Sequence, residues 1–156
     1  MTLMAIQPDV TLRNRYGDPL MIVDIRARLH TSPQWAAELR RNLLEREEFR
    51  RPTQFFMIAT PDRLYLWKGP KTEAEVLLPD FVVDSRPLFL PYLQRSGLNP
   101  DRLSPPVFEL VVISWLSDLV YVPQKSESLG TEQPWLTDSG FLEAAKNGSL
   151  SYGLAA

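Results

Sequence analysis

The sequence predicts a single α/β domain built on a mixed β-sheet, and three observations carry that prediction. Two β-rich segments flank a turn signal close to the N-terminus; an amphipathic helix pattern separates that hairpin from a second, nearly continuous apolar run; and two Ser-Pro pairs stand where helices would start. At 156 residues the chain is long enough to bury one core, so the domain is expected to span 1–156. Apolar residues at 44% and charged residues at 23% are ordinary for a globular protein and exclude global disorder.

Asp9 to Asn14 alternates apolar and polar side chains, Arg15-Tyr16-Gly17-Asp18 signals a turn, and Pro19 opens the run Leu20 to Arg26. These features predict a β-hairpin. Ser32-Pro33 supplies a capping hydroxyl and a proline at the first helical position, and Trp35, Leu39 and Leu43 recur at four-residue spacing, which predicts a helix to about Phe49. Thr53 to Thr60 has the apolar character of a strand buried on both faces, and Pro61-Asp62 turns it into a second strand, Arg63 to Lys68. Strand, helix and strand in that order predict a βαβ crossover, which is right-handed almost without exception.

Beyond Gly69 the chain turns polar. Asp80 to Asp84 is expected as an edge strand, Pro87 to Ser96 as a short helix ending at Gly97, and Ser104-Pro105-Pro106 as the start of a deeply packed helix carrying Phe108, Val111, Val112, Trp115, Leu116 and Leu119. After Pro123 a polar loop is expected to lead to a last short helix around Ser139 to Lys146, stopped by Asn147-Gly148.

The net charge of -2 gives no global attraction for a polyanion, so any nucleic-acid contact would need a local patch. With no cysteine there is no disulfide, thiolate metal site or cysteine nucleophile, and the single histidine, His30, removes most zinc sites. The N-terminus lacks the features of a signal peptide, and the apolar stretch Val107 to Val122 is interrupted by Glu109, Ser114, Ser117 and Asp118 and is too short to span a bilayer. No membrane association and a cytoplasmic location are the expectations.

With the hairpin turn centred between Tyr16 and Gly17, Asp9 falls across from Asp24, Val10 across from Val23 and Leu12 across from Met21. A one-residue slip would put Val10 and Leu12 on the face opposite Val23 and Ile25, so the apolar residues themselves favour facing aspartates, with Cβ atoms roughly 5 Å apart. Two opposed carboxylates repel unless a cation or a shared proton neutralises them. Oxygen ligands without cysteine or a histidine pair suit Mg²⁺ or Mn²⁺. The alternative is structural: one aspartate caps a strand end and the other pairs with Arg26 or Arg13. Arg26 shares the face of Asp24, two residues on.

Pro8-Asp9, a hairpin containing Gly17-Asp18-Pro19, and then Asp24-Ile25-Arg26 resemble the PD-(D/E)xK, restriction-endonuclease-like superfamily, in particular the N-terminal nuclease domain of type I restriction motor subunits. Gln34 at the next helix start resembles the family's glutamine motif, and Phe55 to Thr60 followed by Leu64 to Trp67 resembles its strand pair ending in a threonine turn. The resemblance covers 7–68, leaving 69–156 as an expected helical extension. It implies a Mg²⁺- or Mn²⁺-dependent endonuclease acting on DNA, with Asp9, Asp24 and the Ile25 carbonyl holding the metal. Gln34 would contact the nucleic-acid backbone or orient a metal-bound water, and Arg26 stands where the family has lysine.

Arginine keeps the charge but does not surrender its proton, so it cannot replace a lysine that transfers one. Only eight residues precede Asp9, which leaves little room for the family's first helix and its acidic residue. Both departures point to a weak or degenerate nuclease. The alternative is an inactive interaction or accessory domain, with the segment Val107 to Val122 packing in a homodimer or on a protein partner. Among other candidates, His30 is expected in a loop, the tryptophans in the core, Asp62 in a turn, and Arg40-Arg41 with Arg50-Arg51 on a helix surface neutralised by Glu45, Glu47 and Glu48.

Overall fold

A computed structural model of the chain describes residues 8–70 and 75–152. Six strands form one mixed sheet in the order β5-β4-β3-β2-β1-β6. They are β1 (Val10–Arg13), β2 (Pro19–Ile25), β3 (Phe55–Ala59), β4 (Leu64–Lys68), β5 (Phe81–Val83) and β6 (Ser149–Ser151). Helix α1 (Pro33–Leu44) joins β2 to β3, and those two strands are parallel while the other neighbours are antiparallel. The later helices are α2 (Arg86–Arg95), α3 (Pro105–Tyr121), α4 (Pro123–Glu132), α5 (Pro134–Asp138) and α6 (Phe141–Ala145).

The first hairpin has the register its apolar residues require: Val10 pairs with Val23 and Leu12 with Met21. The turn does contain an irregularity, but it lies between Leu12 and Arg13, on the turn side of the apolar pairs. Asn14 organises it, its side-chain oxygen accepting the amides of Tyr16 at 2.9 Å and Asp18 at 3.0 Å, while Gly17 takes the left-handed φ of 85°.

Strand alternation divides the sheet into two apolar faces. Val10, Leu12, Met21, Val23, Met57 and Leu66 face α2, α3, α5 and α6 in the larger core, which contains Phe89, Phe108, Trp115 and Phe141. Ile22, Phe56, Ile58, Tyr65 and Trp67 face α1 and Phe49. The result is a three-layer α/β/α arrangement, with α1 alone on one side. Both edge strands come from the stretch after Gly69.

α1 starts as expected, the Ser32 hydroxyl accepting the Trp35 amide at 3.1 Å. It ends at Leu44, five residues short of the expected Phe49. A separate 3-10 turn, Glu47–Phe49, folds Phe49 back into the core, and the Arg50 guanidinium satisfies the carbonyls of Leu44 and Glu45. The helix presents Ala36, Ala37, Arg40, Leu43 and Leu44 to the sheet, with Trp35 and Leu39 at the margin. Arg40 is not on the surface: it is fully buried, its guanidinium 5.6 Å from the ring centres of Phe56 and Trp67.

The polar stretch after Pro123 is helical, which corrects the expected loop. α4 and α5 each begin with a proline at the first helical position, Pro123 and Pro134. α4 buries only Ser126, so it shows no apolar periodicity to read. β6 was also not anticipated; three residues, Ser-Leu-Ser, become a strand only through pairing with β1. α3 packs Phe108, Val111, Val112, Ile113, Trp115, Leu116, Leu119 and Val120 into the core and leaves Leu110 and Tyr121 exposed. Among the described residues no single helix is long and apolar enough to cross a membrane.

Candidate functional site

Asp9 precedes β1 and Asp24 is the penultimate residue of β2, so the hairpin register carries both to the same end of the sheet. Asp24 is 4% exposed and Asp9 is half-buried. Asp9 accepts the Ile25 amide through Oδ2 at 2.7 Å, filling with a side chain the place a strand carbonyl would take. Asp24 accepts from Arg26, with Nε to Oδ2 at 2.7 Å and Nη2 to Oδ1 at 3.5 Å. The Arg26 amide in turn donates to the Ala59 carbonyl at 2.9 Å, which fixes its backbone to β3.

Burial is the largest influence on both carboxyls. It pushes Asp24 up to about 6; the Arg26 hydrogen bond and charge pull it back only in part, and Asp9 raises it further. Asp9 is also raised by burial, against the pull of the Ile25 amide, Arg26 and Asp24. The two carboxyls also act on each other in opposite senses, Asp9 raising Asp24 and Asp24 lowering Asp9. For Arg26 burial lowers the guanidinium, yet the Asp24 bond and the two negative charges leave it raised overall.

As folded, these residues do not fit a hard divalent ion. Asp9 Oδ2 is committed to the Ile25 amide and both Asp24 oxygens face the guanidinium, so an approaching cation would meet a positive charge already in contact with its ligands. Among the described residues no group of three or more Asp, Glu, His or Cys is arranged to hold a metal ion. An open groove of about 880 Å³ runs nearby, lined by Pro8, Thr11, Ile22 and the mixed charges of Arg13, Arg50, Arg51, Glu47 and Glu48; neither aspartate is in its lining.

Gln34 is exposed as the second residue of α1, and among the described residues its side chain makes no hydrogen bond to the pair. His30 is an exposed loop residue with φ 59°, its amide donating to Asp62 at 3.2 Å. Asp62 is a turn residue as expected, in contact with the Thr60 hydroxyl, which also accepts the Arg63 amide at 3.0 Å. Trp67 and Trp115 are fully buried and Trp135 nearly so.

Glu109 of α3 lies near enough to Asp9 for their charges to interact; burial first, and Asp9 second, raise its carboxyl. Its only sequence signal was that it interrupts an apolar helix. No known family model, curated protein or solved structure matches this chain. The resemblance to PD-(D/E)xK domains is therefore one of sequence pattern alone.

Proposed function

We propose that this chain is a PD-(D/E)xK-like domain that has lost phosphodiester cleavage and serves as an interaction or accessory domain. The observation that carries this reading is the ion pair between Arg26 and the buried Asp24. The aspartate at the end of β2 that the family pattern would use for a metal is paired with the residue that follows the strand, and a guanidinium cannot act as the proton-transferring lysine. The net charge of -2 favours a protein surface, or a second copy of the chain, over DNA as the partner.

Incubation of plasmid DNA with the protein and Mg²⁺ or Mn²⁺ tests the proposal. No metal-dependent cutting is expected from the wild type, and cutting that Asp24→Ala abolishes would overturn it. A second reading, a degenerate Mg²⁺- or Mn²⁺-dependent endonuclease, is favoured by one observation: the Arg26 side chain is 45% exposed and so has room to leave Asp24. Metal-dependent cutting regained by Arg26→Lys would decide for that reading.

A further inference from the structure

We infer that Arg26 is itself the resident cation of the Asp9-Asp24 pair, a permanent internal counter-ion that closes the hairpin end and makes the domain independent of divalent metal. Three features of the geometry carry this. Arg26 contacts both oxygens of Asp24, at 2.7 and 3.5 Å, so its positive charge lies against a buried carboxylate. Its backbone is fixed beside the pair, the Arg26 amide donating to the Ala59 carbonyl at 2.9 Å. Third, Asp24 offers almost no surface of its own: its side chain is 5% exposed, against 45% for Arg26. The guanidinium therefore stands between solvent and the acid.

Each arm of this arrangement is held by the backbone. Asp9 is tied to the Ile25 amide, and Arg26 is tied through its own amide to β3. The Asp9 carboxylate thus links the start of β1 to the end of β2, and the Arg26 backbone amide ties that end to Ala59 of β3. Removing the guanidinium leaves the buried Asp24 carboxylate without its partner, which is a larger loss than that of an exposed ion pair. The Asp9-Asp24 pair would then be open to an external cation, and Mn²⁺ is a suitable probe of it. The inference deepens the functional reading and rests on the same ion pair, but it concerns what neutralises the site, not whether DNA is cut.

Thermal unfolding of the full chain, with and without Mn²⁺, tests it in the wild type, Arg26→Ala, Asp24→Asn and the double variant Arg26→Ala/Asp24→Asn. The quantity read is the Mn²⁺-induced shift in midpoint beyond that of Asp24→Asn. Expected are no such shift in the wild type, a lower midpoint for Arg26→Ala that Mn²⁺ raises, and a double variant that unfolds above Arg26→Ala and ignores Mn²⁺. A shift in the wild type overturns the assignment. So does an Arg26→Ala midpoint that Mn²⁺ leaves unchanged or that Asp24→Asn fails to lift. Should Arg26→Ala not fold, recovery of folding in the double variant supports the inference and its failure overturns it. DNA cleavage by the wild type without a Mn²⁺ shift would sink the functional reading alone.

Discussion

Asp9 holds the amide of Ile25 at 2.7 Å across the ends of β1 and β2, so a side chain completes a ladder that the backbone of β1 does not reach. Removing this acceptor leaves a part-buried amide without a partner. Asp9→Ala is expected to lower stability by about 1–3 kcal/mol, whereas Asp9→Asn, which keeps an oxygen in place and loses the charge facing Asp24, should lower it less. Urea denaturation of the two variants checks the order.

The same pair gives stability an unusual pH dependence. Asp24 titrates at about 6 when folded, above the ordinary carboxyl value near 3.9 expected when unfolded. The folded state therefore holds this proton more tightly, so the contribution is fully present below the unfolded value and is lost as pH rises through about 6. Asp9 and Glu109, also raised by burial, act with the same sign. The urea midpoint should fall between about pH 4 and about pH 6, the unfolded and folded values of Asp24, and Asp24→Asn should flatten that slope. At lower pH the sign reverses, because Asp84 is held low by its bond to Arg86, and Asp118, although burial raises it, is held low by Tyr92 and Lys125.

Gly148 marks the junction where the chain leaves α6 to join β1. A Cβ there would sit 2.2 Å from the Arg13 carbonyl oxygen and 3.0 Å from that of Ala145, both backbone atoms with little freedom to move. Gly148→Ala is expected to cost at least about 1–3 kcal/mol, as overpacking does, and to detach β6 from β1. Hydrogen exchange at Ser149 to Ser151, together with the denaturation midpoint, reads both effects.

On α3, burial separates two leucines of the same apolar run. Leu116 is fully buried and Leu110 is 55% exposed. Leu116→Ala should cost about 2–5 kcal/mol and Leu110→Ala less than about 0.5 kcal/mol. Equal losses measured in urea would contradict the orientation of this helix.

The sequence by itself determined the α/β class, the hairpin register, the parallel pairing of β2 with β3 implied by the crossover, and the burial of Trp67 and Trp115. Each follows from a local rule: a turn signal joins the strands, alternation sets the faces, and Val10, Leu12, Met21 and Val23 hold one pairing even though the register shifts by one at Arg13. Proximity of Asp9 and Asp24 was legible for the same reason.

Only the tertiary structure decided what neutralises that pair. Spacing places Arg26 on the face of Asp24 but says nothing of how deeply Asp24 is buried, and burial is what turns a neighbouring charge into a committed partner. Arg40 belongs to the same class: its sequence context is a charged helix surface, and it is the packing of α1 on Phe56 and Trp67 that buries it. β6 and α4 were equally hidden, the one because a three-residue strand exists only through a distant partner, the other because a helix that buries almost nothing leaves no apolar period. Glu109 reaches the neighbourhood of Asp9 across a hundred residues of chain, a proximity that the packing of α3 on the sheet creates and that no local pattern encodes.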